Sequence, residues 1–310
     1  MADPRLYQVC TLASLLVYGM GWLDFDITPP RVALLLATVL ATQFVCDRLV
    51  GGPPFRLSGR SALISGLSLC LLLRTGRPEL AVLAAVITIA SKSLIRVGGK
   101  HVFNPTNGGI VAMLLLTDQV WVSPGQWGAA ALFAFLMACA GMLVVHRSAR
   151  SDVTCAFMVF YCALLFGRSL SLGEPLTIPL HRLQSGALLL FTFFMISDPK
   201  TTPDSRTGRV LFAALVAVGA WYVQFRLFRT NGLLWSLAAC SAVVPLIDRL
   251  VPGARYKWAT SGTSTGRPEG LHYIGVKNSA AAPVGGSFGS RNVEFDSANR
   301  ATRPLMESHT

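Results

Sequence analysis

Charged residues are scarce in this chain of 310 residues, since Asp, Glu, Lys and Arg together make up only 14% of it. Soluble domains carry about 25% charged residues, whereas 52% of this chain is hydrophobic and its mean hydropathy is +0.52. Apolar segments alternate with short loops from Tyr7 to Leu250, and most of the charge lies in the loops. This pattern argues against a soluble enzyme and indicates an all-α integral membrane protein.

Several cofactor signatures are absent as well. The seven cysteines contain no C-x-x-C pair and no Cys/His cluster has zinc spacing, so we predict neither an iron–sulfur nor a metal site. The chain has no dinucleotide-binding glycine fingerprint, and no catalytic residue is assigned. Segment 7–24 lacks the charged start and cleavage site of a signal peptide, so we expect it to remain as a helix. The net charge of +12 does not predict nucleic-acid binding, because the basic residues lie in loops between membrane segments.

About ten transmembrane helices are predicted. The apolar segments are 7–24, 31–49, 61–73, 79–97, 105–117, 126–146, 152–170, 182–197, 209–227 and 231–250. The third and eighth are shorter than the about 20 residues that a bilayer span requires, and the fifth is interrupted at its start by Asn104 and Pro105. Short or broken segments are tolerated at membrane depth only where protein or a water-filled cavity surrounds them.

The loops on one side of the predicted bundle carry fourteen Lys and Arg residues, and those on the other side carry seven. By the positive-inside rule, both termini are predicted to be cytoplasmic in a multi-pass protein of the bacterial cytoplasmic membrane. Residues 1–251 form the predicted membrane domain. Residues 252–310 are rich in Gly, Ser, Ala, Thr and Pro, and this composition predicts a disordered cytoplasmic tail.

The membrane domain contains a weak internal repeat, of residues 7–120 and 126–250. Three short motifs recur in the same order: Ser65-Gly66 and Ser185-Gly186, Thr75-Gly76-Arg77 and Thr207-Gly208-Arg209, and Thr106-Asn107-Gly108 and Thr230-Asn231-Gly232. Five segments in each half would place the second half upside down relative to the first. Inverted repeats with short or broken helices indicate a binding site near the membrane midplane, where helix N-termini face the ligand.

Individual polar residues allow more than one interpretation. Asn104 and Asn107 could serve only as caps of a helix that begins at Pro105, or they could also contact a ligand or an ion. Asp198 could be an ordinary loop carboxylate or part of a polar site that faces the cytoplasm. Lys92 lies within an apolar segment, and we expect its amine to extend to the membrane surface.

The sequence resembles one family of membrane subunits. The similarity is carried by Phe103-Asn104-Pro105, by the run Leu183–Leu190 and its continuation Phe193–Pro203, and by Val244–Asp248. The family contains the D subunit of Rnf-type electron-transport complexes and the B subunit of the sodium-pumping NADH:quinone oxidoreductase. The resemblance covers about residues 55–250. A shorter branch of the family, linked to enediyne biosynthesis, is similar as well.

The resemblance implies a subunit that holds flavin, passes electrons, and is coupled to Na⁺ or H⁺ movement beside other membrane redox subunits. Members carry flavin mononucleotide on a Thr of an Asp-x-[Ser/Thr]-Gly-Ala-Thr motif, and here Leu188 follows Ser185-Gly186-Ala187 instead. We therefore expect FMN or riboflavin to bind without a covalent bond. The predicted binding residues are Ser65, Gly66, Asn104, Pro105, Thr106, Asn107, Gly108, Ser185, Gly186, Asp198 and Thr202.

Two alternatives remain open at the level of the sequence. A small-solute transporter or channel could be built on the same inverted repeat, and the missing flavin attachment motif favours it. The chain could also be an assembly scaffold that has kept the fold without the chemistry. In the electron-transfer interpretation the chain is not a complete enzyme, because the other redox centres would belong to partner subunits.

Overall fold

The computed structural model describes residues 4–23, 25–50, 55–123 and 151–255, all within one compact unit, Met1–Gly262. The predicted sixth segment, 126–146, and the predicted tail from residue 256 onward lie outside these residues. A helix occupies each of the other predicted segments. The helices are α1 (Pro4–Trp22), α2 (Pro29–Val50), α3 (Phe55–Leu72), α4 (Pro78–Leu94), α5 (Pro105–Leu116), α6 (Ser151–Leu172), α7 (Thr177–Leu183), α8 (Gly186–Leu190), α9 (Arg206–Phe225) and α10 (Gly232–Leu250).

Four of the described helices, α2, α6, α9 and α10, are long and apolar enough to cross a membrane. Shorter apolar helices lie at Ser58–Leu72, Pro105–Leu116 and Gly186–Met195. The prediction of a mainly helical membrane protein is therefore confirmed. The count of ten membrane helices and their inverted arrangement stay predictions.

The third and eighth predicted segments have different lengths from those expected. Helix α3 has 18 residues and begins before the predicted position 61. It extends through polar residues because they find partners: Ser58 Oγ donates to Asp47 Oδ2 of α2 at 2.5 Å. The eighth segment is shorter than predicted, since α8 has five residues and continues as a π-helix at Phe191–Met195. A π-turn carries an extra residue that hydropathy does not reveal.

The described residues also form four short strands, which an all-α prediction does not include. Strands β1 (Leu73–Thr75) and β4 (Val120–Val122) pair antiparallel where α3 and α5 end. Strands β2 (Arg96–Val97) and β3 (Lys100–His101) form a hairpin between α4 and α5. Its turn is Gly98-Gly99, with φ of 57° and 81°, and a two-residue turn with positive φ at both positions is the type that favours glycine.

The helices pack in two neighbourhoods. In the first half, α2 lies between α3 and α4, and α4 packs on α5; in the second half, α9 lies between α6 and α10. Small residues allow close approach in both. A Cβ at Gly109 would overlap Thr88 Oγ1 of α4, and one at Gly219 would overlap Ser236 Oγ of α10. Such small-residue crossings are typical of helix packing in membranes, where van der Waals contact drives association.

Ion pairs connect elements that are distant in sequence. Lys100 Nζ, in β3, lies 3.0 Å from Asp204 Oδ1 before α9 and 2.9 Å from Asp248 Oδ2 near the end of α10. Arg209 of α9 pairs with Asp152 at the start of α6, with Nη2 and Oδ2 2.6 Å apart. The structure thus places Asp248 in a long-range cluster, which ties the β2–β3 hairpin to the second half of the chain.

Candidate functional site

The start of α5 is a broken-helix site. Asn104 precedes Pro105, and Asn104 Oδ1 accepts a hydrogen bond from the Asn107 backbone N–H at 3.2 Å. This is the ordinary capping arrangement, in which an Asn side chain pairs one of the free N–H groups of the first turn and Pro occupies the first helical position. The oxygen atom of Asn104 is thus explained by local structure.

The amide nitrogen of Asn104 makes a second, long-range connection. Asn104 Nδ2 donates to Asp198 Oδ2 at 3.3 Å and to the Met195 carbonyl at 3.4 Å. These bonds join the Phe-Asn-Pro motif to the Ser-Asp-Pro motif, although the two are more than 90 residues apart. A single side chain therefore caps one helix and fixes the end of the π-helix beside it.

Asp198 also organises its own loop. Its Oδ1 accepts the Lys200 backbone N–H at 3.0 Å, and its carbonyl accepts the N–H groups of Thr201 and Thr202, each at 3.1 Å. The Thr202 hydroxyl donates to the same carbonyl at 3.1 Å and is buried. The Asp-Pro-Lys-Thr-Thr sequence is therefore a closed turn whose polar groups hold the carboxylate toward α5.

Asn107 is the least satisfied polar residue of the site. Its side chain is 0% exposed, and neither Nδ2 nor Oδ1 has a hydrogen-bond partner among the residues that the structure describes. Burying an unpaired amide costs about 1–3 kcal/mol by mutational measures, so native structures rarely leave one without a partner. A bound ligand or an ordered water with matching donors and acceptors would remove that cost.

The site lies well inside the helical layer. Thr106 Oγ1 donates to the Ser65 carbonyl of α3 at 3.4 Å, so the first turn of α5 is level with Ser65. Ser65 is ten residues from the start of α3 and seven from its end, which at about 1.5 Å per residue is roughly 15 Å and 11 Å. Gly66 beside it packs on α2, because a Cβ there would lie 2.8 Å from Val39 Cγ2.

Cationic side chains surround the site on one flank. Burial and nearby positive charge from Arg96, Lys92 and Lys200 lower the pKa of His101 to about 3, and its Nδ1 is buried without a partner among the described residues. Burial also lowers the pKa of Lys200, although Asp198 opposes the shift. The imidazole is therefore neutral at physiological pH, while the neighbouring amines supply the positive field.

Lys92 of α4 is bound to polar side chains of α2. Its Nζ donates to Gln43 Oε1 of α2 at 2.8 Å, and Gln43 Nε2 donates in turn to Asp47 Oδ1 at 2.7 Å. The amine is thus held by a buried glutamine of α2, and its extension to the membrane surface stays a prediction. Gln43 is 3% exposed. In the sequence, the only sign of this hydrogen-bond network was an amide side chain within an apolar span.

The structure does not bring every predicted site residue together. Ser65, the turn from Asn104 to Gly108, Asp198 and Thr202 lie in contact or in one connected network. Ser185 and Gly186 lie at the start of α8, nine or ten residues before Met195, and the rest of α8 and the π-helix separate them from it along the chain. Leu188 is 2% exposed and apolar, so that position provides no hydroxyl for a flavin ester.

The π-helix is the part of the site that sequence reasoning missed. Within it, the Ile196 N–H reaches back to the Phe191 carbonyl, while the Met195 carbonyl accepts from Asn104. Isolated π-turns occur mostly as single-turn interruptions and often at functional sites. The apolar run Phe191–Met195 carries no Gly or Pro that would signal it.

Comparisons with known proteins agree with this picture. The model of the NQR2, RnfD, RnfE family matches residues 115–257. The D subunit of the ion-translocating oxidoreductase complex from Stutzerimonas stutzeri is 26% identical over 309 residues, which cover 76% of this chain and 85% of that protein. The corresponding D subunits of Pectobacterium carotovorum and Escherichia coli K12 are 33% and 31% identical over 92 and 133 residues, or 29% and 42% of this chain.

Those last two matches span 26% and 33% of the relatives' own lengths, so the chain aligns with only about a quarter to a third of each. The matched regions include the Ser-Asp-Pro turn and α9 to α10 in the family model. With the apolar helices, the relatives identify a multi-pass membrane protein. The resemblance predicted from the sequence motifs is thus confirmed, and the chain is similar to members of the NQR2, RnfD, RnfE family.

Proposed function

We propose that the chain is a membrane subunit of a flavin-linked electron-transport complex, and that it holds FMN or riboflavin non-covalently at the start of α5. The observation that carries this proposal is the fully buried Asn107 side chain, with both amide atoms unpaired among the described residues. It lies in the first turn of a helix whose neighbouring groups, on Asn104 and Asp198, are held by hydrogen bonds.

The donor set suits a flavin. The pyrimidine edge of the isoalloxazine ring presents carbonyl oxygens on either side of an N–H, and an Asn amide can both donate to and accept from such an edge. Asn107 would hold this edge, with Asn104, Thr106 and Thr202 as the polar surroundings. The positive end of α5 and the ammonium of Lys92 would favour added negative charge on the ring. A bound flavin would supply transfer of one or two electrons.

The wider proposal follows from the relatives, which are named as subunits of an ion-translocating oxidoreductase complex. Other membrane redox subunits would supply and remove the electrons, and Na⁺ or H⁺ movement would be coupled to their passage. The proposed setting is a bacterial cytoplasmic membrane with both termini inside, and the proposed architecture is two inverted five-helix repeats. The helix starts at Asn104–Pro105 and Asn231–Gly232 support the repeat, because the recurring motif precedes a helix in each half.

The test is the visible absorption spectrum of the detergent-purified chain, prepared with riboflavin and FMN present and then freed of unbound flavin. We expect near-stoichiometric flavin bands that leave with the supernatant after acid precipitation. Asn107→Leu should reduce the flavin content at least tenfold. Asn231→Gly is the matched control, because Asn231 begins α10 with a φ of 60° that glycine tolerates and its side chain makes no capping bond.

A colourless wild-type protein would refute the flavin proposal, and so would full flavin content in Asn107→Leu. Bands that remain in the acid pellet would show a covalent attachment instead. A small-solute transporter is the second candidate, because the hydrogen-bonded chain from Lys92 through Gln43 to Asp47 places polar groups between α2 and α4. Uptake of a neutral solute into liposomes by the colourless protein would support that candidate.

A further inference from the structure

A second polar site lies at the other end of α3, away from the α5 start. A half-open cavity of about 190 Å³ is lined by the segment before α2, the start of α4 and the ribbon formed by β1 and β4. Its polar lining includes Asp26, Arg31, Arg74 and Thr75. Arg74 is roughly nine residues beyond Ser65, which at about 1.5 Å per residue separates the two sites by more than 10 Å.

Arg74 is a buried cation, only 5% exposed. Its Nη1 donates to the carbonyls of Cys70 and Leu73, at 2.8 and 2.9 Å, and so caps the end of α3. Its guanidinium carbon lies 5.6 Å from the centre of the Phe25 ring. Nε and Nη2 have no hydrogen-bond partner in the described part of the chain, so three donors of the guanidinium remain available.

No carboxylate lies within ion-pair distance of Arg74 among residues 4–23, 25–50, 55–123 and 151–255, although Asp26 of the same cavity is close enough to attract it electrostatically. A buried charge that makes no direct ion pair is costly, and an anion in contact with it would lower that cost. The hydrogen bonds to the carbonyls at the end of α3 use only Nη1 of Arg74. The free Nε and Nη2 edge has the fork geometry that binds two oxygens of one oxyanion.

The other groups of the cavity define the charge and shape of the ligand. Arg31 and Arg74 contribute two positive charges and Asp26 one negative charge, which leaves a net charge of +1 and favours a monoanion. Arg31 is already directed to this region, because its Nη1 donates to the Arg77 carbonyl at 3.1 Å. Trp121, directly opposite Arg74 across the β1–β4 ladder, provides an apolar wall.

We propose that this cavity binds a monoanionic oxyacid group attached to a small apolar body, with the oxygens on Arg74 and the apolar part against Trp121. Two sources share this chemistry: a free organic carboxylate and the phosphodiester of an anionic lipid headgroup. The proposal does not depend on flavin binding, since it rests on a different cavity and a different set of side chains.

The first probe is benzoate, titrated by calorimetry into the detergent-purified full chain, with benzamide as the uncharged control of the same shape. Saturable binding of benzoate but not of benzamide is expected. Arg74→Gln should weaken benzoate at least tenfold, and Arg31→Gln severalfold. Arg77→Gln is the matched control, because its side chain is exposed and outside the cavity, and it should leave the affinity unchanged.

Asp26→Asn makes the test independent of folding defects. Removing the negative charge of the cavity should strengthen benzoate severalfold, an outcome that a misfolded variant cannot imitate. If Arg74→Gln does not yield folded protein, Asp26→Asn and Arg31→Gln carry the test. Weaker binding in Asp26→Asn, or unchanged binding in both Arg variants, would overturn the proposal.

Dihexanoyl phosphatidylglycerol, with dihexanoyl phosphatidylcholine as the zwitterionic control, distinguishes the two sources. If dihexanoyl phosphatidylglycerol displaces benzoate, and does so with a dissociation constant lower than that of benzoate, the site binds a lipid headgroup. Binding of benzoate unaffected by the short-chain lipid would assign it to a free carboxylate. Absence of saturable binding for both anions would refute the oxyanion site.

Discussion

Replacing Lys100 by Met should destabilise the protein strongly, because Lys100 is the shared cation of two carboxylates. Its Nζ lies 3.0 Å from Asp204 Oδ1 and 2.9 Å from Asp248 Oδ2, and the three side chains are only 10–19% exposed. The Asp204 backbone N–H also donates to Asp248 Oδ1 at 2.8 Å, so the two aspartates are held together whether or not the lysine is present. Without Lys100, the two like charges would face each other in a largely buried position.

Removing one partner of a buried ion pair costs about 3–5 kcal/mol. The partial exposure of these groups places Lys100→Met at the lower end, about 3 kcal/mol. For chains of about 150–250 residues, each kcal/mol shifts the melting temperature by about 2–4 °C. The expected fall in melting temperature is therefore roughly 6–12 °C, measured in detergent by loss of the monodisperse peak in size-exclusion chromatography after heating.

Two variants make this prediction specific. Arg77→Gln removes an exposed pair with Glu79, at 3.4 Å, and should not change the melting temperature measurably. Asp248→Asn, added to Lys100→Met, should recover part of the loss because it removes one of the two unpaired charges. Melting of Lys100→Met within about 2 °C of the wild type, or a further loss on adding Asp248→Asn, would refute the reasoning.

Three further predictions concern His101, the α4–α5 crossing and the α6–α9 ion pair. Burial holds the pKa of His101 at about 3, against 6.5 when unperturbed. Between these two pH values the unfolded state binds more protons than the folded state, so stability falls as the pH falls. His101→Asn should flatten the pH dependence of the unfolding midpoint across that window, and an unchanged slope would contradict this. Gly109→Ala should cost about 1–3 kcal/mol, because its Cβ would overlap Thr88 Oγ1 and lie 2.9 Å from Thr88 Cβ. Adding Thr88→Ala should recover only part of the lost melting temperature, since the Cβ contact remains, and no recovery at all would place the cost elsewhere. Arg209→Gln should lower thermal stability, since Nε and Nη2 lie 2.7 and 2.6 Å from Asp152 Oδ2. A double-mutant cycle with Asp152→Asn should show that the two losses of stability are coupled, and additive losses would exclude the ion pair as the cause.

The sequence predicts those helices and turns that depend on residues close together in the chain. Hydropathy locates α2, α6, α9 and α10, because a long apolar run has few alternatives to a membrane helix. The start of α5 follows from Asn before Pro, and the structure places the Asn104 cap there. The Gly98-Gly99 pair likewise has a local cause, a turn with positive φ, although the sequence interpretation did not use it.

The features that were missed have causes far away in the chain. The partner of Lys92 is Gln43, 49 residues earlier, and the early start of α3 depends on Asp47. The Asn104 amide nitrogen finds its acceptors more than 90 residues later. A single sequence records these residue types but not their proximity, so it could name candidate polar groups without showing which of them meet.

The π-helix at Phe191–Met195 has a consequence for how this segment tolerates insertions and deletions. One turn of a π-helix holds one residue more than one α-helical turn, so it is equivalent to a single-residue insertion absorbed inside a helix. Deleting one residue there would convert the π-turn to α-helical spacing and leave the residues after it close to their present orientation. Asp198 would then still face Asn104. The same deletion from a regular α-helix such as α9 would rotate everything after it by about 100°, so the π-turn is the place where this apolar segment tolerates the loss of one residue.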